Sequence, residues 1–248
     1  MAERPGAGEA GLSARLLAAR AHAATRAFRR QLDAAYRLRD RWLEEAHAPA
    51  VEFSGGKDST VVLHLVREAV PDAPALHGDD EWYLPETEAL LSATPNLVRI
   101  VRPLKHTEWF TAWEELDGPS GGSKHRWALE HGIDGVASGL RADENGRRRR
   151  HVRMRGRVFR LANGLWRSYP IADWGWLDVW AYIVSRGVPY NHAYDRLEEV
   201  GVEPERQRIG PFASERALGY GQLTILKLGW PDLYRQFADR YPEAKAYT

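Results

Sequence analysis

The chain of 248 residues contains no cysteine. That absence excludes disulfides, cysteine-held zinc, iron–sulfur clusters and thiol nucleophiles. Lysine is scarce too: of 35 basic residues 30 are Arg and 5 are Lys, so each Lys is informative. No apolar run approaches the roughly 20 residues a membrane span needs, so a cytoplasmic location without a membrane partner is expected. The sequence also lacks H-E-x-x-H and paired His at ligand spacing, which argues against a zinc site. G-x-S-x-G and triad-like cues are missing as well. Acid is absent from one stretch: residues 147–160, RRRRHVRMRGRVFR, hold eight Arg and no Asp or Glu, although the net charge is only +1.

A hydrophobic fraction of 44% and a charged fraction of 28% suit a globular chain long enough to bury a core. Residues 1–10 mix Pro, Gly and Glu without pattern and read as disordered. The Arg- and Ala-rich start could pass for an organellar transit peptide. Glu3 and Glu9 are wrong for one, and the helical pattern runs on past Trp42. From Leu12 to about Ala46 the chain reads as one helix, with Leu16, Phe28, Leu32, Ala35, Tyr36 and Leu43 on one face and Arg on the other. It is either an arm packed on the body or a homodimerisation helix.

Beyond Pro49 strands and helices alternate. Strands are expected at Ala50–Phe53, Ala73–His77, Leu97–Val101 and Ile133–Ser138. A hairpin is expected from Val158–Leu161 and Leu165–Ser168 about Ala162-Asn163-Gly164. Helices are expected at Ser59–Val70, Pro85–Leu91, His106–Leu116 and Trp176–Arg186, the last turning Leu177, Val179, Trp180 and Ile183 inward. Two short helices should follow, broken at Gly229-Trp230-Pro231. This order predicts an α/β fold: a doubly wound, mainly parallel sheet with ligands at the carboxyl ends of its strands. The expected organisation is an N-terminal helical arm (1–48), a nucleotide-binding α/β domain (49–195) and a C-terminal segment near the site (196–248).

The loudest feature is Ser54-Gly55-Gly56-Lys57-Asp58-Ser59, set between a strand and a helix. It lacks Walker A spacing. Its two glycines nevertheless allow a tight turn that presents bare N–H groups, and the helix aims its positive end at the same point. Ser54 and Ser59 add hydroxyls, and Lys57 adds a charge. Asp79, Asp80 and Glu81 form a carboxylate cluster that is either a Mg²⁺ site or a solvated acidic loop. The Arg147–Arg160 run is either a clamp for sulfate, phosphate or a nucleic-acid backbone, or a solvated mobile loop. Most of the ten Trp suit the core, one being free to stack on a base, and His64 suits a packed position.

SGGKDS is the signature loop of the PP-loop ATP pyrophosphatases, the adenine-nucleotide α-hydrolase-like superfamily, and other segments extend the resemblance. HGDDEWYLPET is similar to the FIDTGYLFPET segment of the phosphoadenylyl-sulfate reductase and ATP sulfurylase small-subunit group. Gly139-Leu140-Arg141-Ala142-Asp143-Glu144 resembles that group's GLRADES. Residues 169–195, YPIADWGWLDVWAYIVSRGVPYNHAYD, resemble its P-I-x-D-W-x-x-x-D-V-W-x-Y-I…P-Y-N-x-x-Y-D block. The segments keep the family's order over about residues 50–210.

The resemblance implies ATP and Mg²⁺ as cofactors and cleavage between the α- and β-phosphates to activate an acceptor. Ser54, Gly55, Gly56, Lys57, Asp58, Ser59, Asp79, Gly139, Arg141 and Arg208 would hold the nucleotide. Lys57 and Arg141 would stabilise departing charge, and Asp58, Asp79, Asp80 and Glu81 would hold the metal. The acceptor would be anionic: sulfate, a metabolite or nucleic acid. A GTPase subunit or a sulfur-donor protein is an implied partner, and DNA phosphorothioation is one setting the resemblance allows. The group's reductases carry a catalytic Cys, which this chain lacks, so thiol-dependent reduction is not expected. A sulfate-adenylylating subunit and a non-catalytic nucleotide-binding module remain alternatives.

Overall fold

The computed structural model describes residues 13–79, 82–101, 122–210 and 221–248. Six strands form one sheet: β1 (Pro49–Glu52), β2 (Ala75–Asp79), β3 (Leu97–Val101), β4 (Gly135–Ala137), β5 (Val158–Arg160) and β6 (Trp166–Ser168). Their order is β3-β2-β1-β4-β6-β5. All neighbours run parallel except β5 and β6, which form the expected hairpin. Strands buried this continuously belong to a sheet covered on both faces. The chain winds outward in both directions from β1, so the carboxyl ends of β1 and β4 flank the switch point where such sheets place ligands.

Two helices precede the sheet, α1 (Ala14–Ala23) and α2 (Arg26–Leu43), where the hydrophobic period predicted one. The break lies at Ala24 and Thr25. Thr25 Oγ1 accepts from the Phe28 N–H at 3.1 Å, an N-cap that starts a second helix. Their buried residues, Ala19, Phe28, Ala35 and Trp42, join a core cluster that continues to Ala244. The apolar side that a dimer contact would use therefore faces the chain's own core.

The helical Arg residues were expected on the solvent face, and Arg15 departs from that. It is 2% exposed. Its Nη1 donates to the Tyr194 carbonyl at 3.0 Å and to Gln207 Oε1 at 3.2 Å, and its Nη2 to Asp195 Oδ1 at 2.5 Å. The guanidinium lies 4.1 Å from the Trp180 ring centroid. A charge can be buried here because both Nη atoms are hydrogen-bonded, Nε lies 3.5 Å from Glu198 Oε2 and the face stacks on Trp180.

After β1 comes α3 (Lys57–Arg67), starting two residues before the predicted Ser59, and then α4 (Pro85–Ser92) with Pro85 in its first turn. Helix α5 (Gly122–Glu130) was not anticipated. The helix predicted at His106–Leu116 and the N-terminal ten residues lie outside the described residues.

The Arg-rich run is a helix rather than a loop: α6 (Gly146–Arg155) starts where Asn145 Oδ1 accepts from the Arg148 N–H at 2.8 Å. Helix α7 (Trp176–Arg186) buries Val179, Trp180 and Ile183, leaves Leu177 half-buried, and ends at Gly187 with φ 61. Helices α8 (Ala193–Glu199), α9 (Gln222–Gly229) and α10 (Pro231–Arg240) follow, the last two meeting at Trp230 where the break was expected. Trp42, Trp174 and Trp180 are fully buried, and half-buried His64 lies against Tyr182, 2.8 Å from its hydroxyl. Among the described residues no helix is long and apolar enough to cross a membrane.

Candidate functional site

At the carboxyl ends of β1 and β4 the SGGKDS loop forms the floor of a cleft of about 350 Å³. Its shape is fixed from within. Ser59 Oγ donates to the Gly56 carbonyl at 2.9 Å and accepts from the Ser54 N–H at 3.2 Å. Ser54 Oγ lies 3.1 Å from Ser59 Oγ and accepts from the Gly56 N–H at 3.3 Å. Gly55 has φ +75, a left-handed conformation that a side chain would strain. The N-cap of α3 is Gly56, which has no side chain to cap with; α4, α8, α9 and α10 also lack a side-chain cap, whereas α1, α2 and α6 are capped by Ser13, Thr25 and Asn145. First-turn N–H groups lack intrahelical partners, and the first turn of α3, Lys57, Asp58 and Ser59, lines the cleft, where it can meet an anion.

The loop is also braced from the segment at 191–194. Asn191 Nδ2 donates to the Gly55 carbonyl at 3.3 Å and to Thr87 Oγ1 at 2.8 Å. The buried Tyr194 hydroxyl accepts from the Lys57 N–H at 3.1 Å. Burial pushes the Tyr194 hydroxyl pKa up, so it stays a neutral phenol. Asn191 and Tyr194 thus explain part of the PYNHAYD segment: it is scaffolding for the loop.

Lys57 is 2% exposed, and its Nζ lies 3.1 Å from Asp58 Oδ2. Arg141 Nε lies 2.6 Å from Asp58 Oδ1, and Arg141 Nη1 donates to both Asp143 oxygens at 2.8 Å and to the Trp174 carbonyl at 3.2 Å. Burial pushes the Asp58 carboxyl up, but the charges of Lys57 and Arg141 outweigh it and hold it below the usual range. Asp58 is therefore the centre of a cation–anion–cation arrangement, which is the reverse of a metal cage.

The cleft brings together most of the predicted residues: Ser54, Gly56, Lys57, Asp58, Ser59, Gly139 and Arg208 line it. Arg141 lies beneath the loop and does not line the cleft. Asp79 does not line it either; its Oδ1 accepts from the Tyr83 hydroxyl at 2.6 Å. Asp80 and Glu81 lie outside the described residues. Among the described residues no three acids or His form a metal-holding group, and no Trp lines the cleft.

Sequence reasoning missed Glu52, Lys124, Ser138, Glu144, Arg148, Tyr194 and Gln207, all of which line the cleft. Glu144 holds its rim together. It takes Arg208 Nη1 at 2.9 Å on Oε1, and Arg148 pairs with Oε2. Arg148 and Glu144 were visible as parts of longer segments, but nothing in the sequence marked their pairing. Lys124, one of only five Lys, carried the signal of rarity.

Glu52, at the end of β1, pairs with Arg167 Nη2 at 3.0 Å and with His125 Nε2 at 3.1 Å. Burial raises its pKa, yet the charges of Arg167 and Lys124 and the hydrogen bonds from His125 and Arg167 outweigh burial and place it well below the usual carboxylate range. A depressed acid contributes stability above its unfolded pKa of about 4.3, lost as pH falls through the lower folded value. Glu52→Gln is therefore expected to destabilise the chain most at neutral pH, and its deficit should shrink as pH drops below about 4. Urea unfolding of both proteins across that range checks this; a deficit that does not change with pH would count against it.

A sheet wound outward from β1, with an uncapped glycine-rich loop at its switch point, defines a PP-loop protein of the adenine-nucleotide α-hydrolase-like type. The phosphoadenosine phosphosulfate reductase domain family matches residues 48–214, and the chain belongs to that family. It is 29% identical to sulfate adenylyltransferase subunit 2 of Azospirillum brasilense, over 60% of this chain and 61% of that protein. It is 30% identical to phosphoadenosine 5'-phosphosulfate reductase of Xanthomonas axonopodis pv. citri, over 60% of this chain and 68% of that one. The chain thus spans less than two thirds of the first relative's length. In fold it is similar to Candida glabrata FMN adenylyltransferase in complex with FAD and inorganic pyrophosphate, with a TM-score of 0.51 and 13% identity over 73% of this chain and 66% of that one.

Proposed function

We propose that the cleft binds ATP with its β- and γ-phosphates on the SGGKDS loop and transfers the adenylyl group to an anionic acceptor. The observation that carries this is the start of α3 at the cleft floor, its N-cap a glycine, its loop braced by Asn191 and Tyr194 and its first residue Lys57. An acceptor oxygen attacks the α-phosphorus, the bond to the bridging oxygen breaks, and pyrophosphate leaves with its charge opposite Lys57 and the helix start. Arg208 and Lys124, which line the cleft, would orient the polyanion from its rim. In this reading the described part of 196–248 closes on the 49–195 nucleotide domain, and residues 13–48 buttress it. Mg²⁺ would reach the site with the nucleotide; Asp58 is poorly suited to hold it, since its oxygens already face two cations.

Lack of cysteine supports adenylyl transfer over thiol-dependent reduction. Sulfate is the favoured small acceptor, on the similarity to sulfate adenylyltransferase subunit 2, and a partner subunit goes with that reading. Pyrophosphate release from ATP and Mg²⁺, with sulfate and other acceptors, is the test. Lys57→Ala is expected to lower the rate by about 10²–10³-fold, the range for removing one group that stabilises developing charge. Intact ATP binding with no pyrophosphate from any acceptor would reduce the protein to a nucleotide-binding module.

A further inference from the structure

The cleft leaves the Arg-rich helix unexplained. Of its arginines only Arg148 turns to the cleft, pairing with Glu144. Val152 is the helix's buried residue and packs with Tyr169 and Ala172. Arg147, Arg149, Arg150 and Arg153 are exposed and have no ion pair among the described residues. At 3.6 residues per turn these four cover about 160° of the outward face, shared only with Gly146 and Met154. Like charges at i,i+3 and i,i+4 repel, so Arg147/Arg150, Arg150/Arg153 and Arg149/Arg153 each weaken the helix. From 145 to 172 there is no acid to offset them. The chain as a whole carries only +1, so the excess is a local feature and not a general property of the surface.

We propose that the outward face of α6 is a docking surface for duplex DNA. Four features favour this occupant. The face is almost wholly Arg, whose planar fork matches phosphate oxygens. It lacks the aromatic and aliphatic anchors on which protein partners settle, Met154 being the one exposed apolar side chain. It also lacks the broad apolar side by which a helix enters a lipid surface, since Val152 is packed inward. Finally, a ten-residue helix about 15 Å long and 10–12 Å wide suits the B-form major groove, roughly 12 Å across, whereas the A-form major groove of RNA is too narrow. The same helix reaches the cleft rim at Arg148, so a bound duplex would lie next to the site. The surface itself lies outside the cleft, and its DNA binding does not depend on ATP being cleaved there.

The test is fluorescence anisotropy of a labelled duplex titrated with the full chain at several salt concentrations. If each of the four arginines neutralises one phosphate, affinity should fall roughly 150-fold between about 50 and 200 mM salt, from a slope of about 0.9 per contact. The variant R147Q/R149Q/R150Q/R153Q should lose that dependence, its log–log slope becoming shallower by about 3.6. The all-Lys counterpart should retain it, and Arg235→Gln/Arg240→Gln, on another face, should leave it unchanged. Circular dichroism and an unchanged or raised thermal midpoint identify a folded Gln variant, since only repulsion is removed. Unaltered DNA binding by a folded Gln variant would overturn the proposal. So would equal affinity for duplex RNA or for polyglutamate.

Discussion

Replacing Gly139 by Ala is expected to abolish the proposed ATP binding and to destabilise the chain by about 1–3 kcal/mol. A Cβ built on Gly139 would sit 2.6 Å from the Asp58 carbonyl carbon and 2.8 Å from both the Asp58 oxygen and the Ser59 nitrogen. All three are backbone atoms in the first turn of α3, where no flexible side chain can yield. Either β4 or the helix start must move. Overpacking of this kind costs about 1–3 kcal/mol and sometimes more. For a chain of this size each kcal/mol lowers the melting midpoint by about 2–4 °C. The functional effect should exceed the stability effect, because the displaced atoms carry the N–H groups proposed to hold the phosphates. Thermal melts and calorimetric ATP titration test this together; a wild-type midpoint with wild-type affinity would show that the contact is not as close as described.

Arg141→Met is expected to cost about 3–5 kcal/mol, the range for removing one partner of a buried ion pair. Arg141 is 3% exposed and serves Asp58, Asp143 and the Trp174 carbonyl at once. Its loss leaves the Asp58 carboxylate with Lys57 alone, so the Asp58 pKa should rise and acid sensitivity should move to higher pH. Arg141→Lys should rescue little, since an ammonium cannot replace the guanidinium fork that serves three acceptor groups. The double variant Arg141→Met/Asp58→Asn should recover part of the deficit, because the stranded charge is gone. Urea unfolding of the four proteins gives the coupling; additive losses would mean that Arg141 and Asp58 act independently.

The fold was legible because its signals were local. Strand–glycine–helix punctuation marked the loop, Ala162-Asn163-Gly164 marked the hairpin, and Trp230-Pro231 marked the C-terminal break. The missed features are those set by a partner far along the chain. Thr25 divides the first helix, yet both halves keep an apolar side and the period hides the break. Arg15 reads as a solvent-facing residue because its partners Tyr194 and Asp195 lie 179 and 180 positions away. Asn145 gave no warning that an all-Arg run would be helical, since the capping signal usually sought is an acid or amide three residues on. In the site, motif matching picked out the strand–loop–helix that floors the cleft. It could not distinguish a residue that lines the cleft, such as Arg208, from one that holds the loop from beneath, such as Arg141.

The contacts of Arg15 also bear on the order of events during synthesis. The loop at 54–59 is made early, yet its braces at Asn191 and Tyr194 emerge more than 130 residues later, and Arg15 must wait longer still, 180 positions, for Asp195. Closing loops of this length is entropically costly and kinetically late, so a nascent chain can form β1 and α3 well before its binding surface has a defined shape. Gain of the proposed ATP affinity during refolding would thus time the last docking step, and it should lag behind the helical signal.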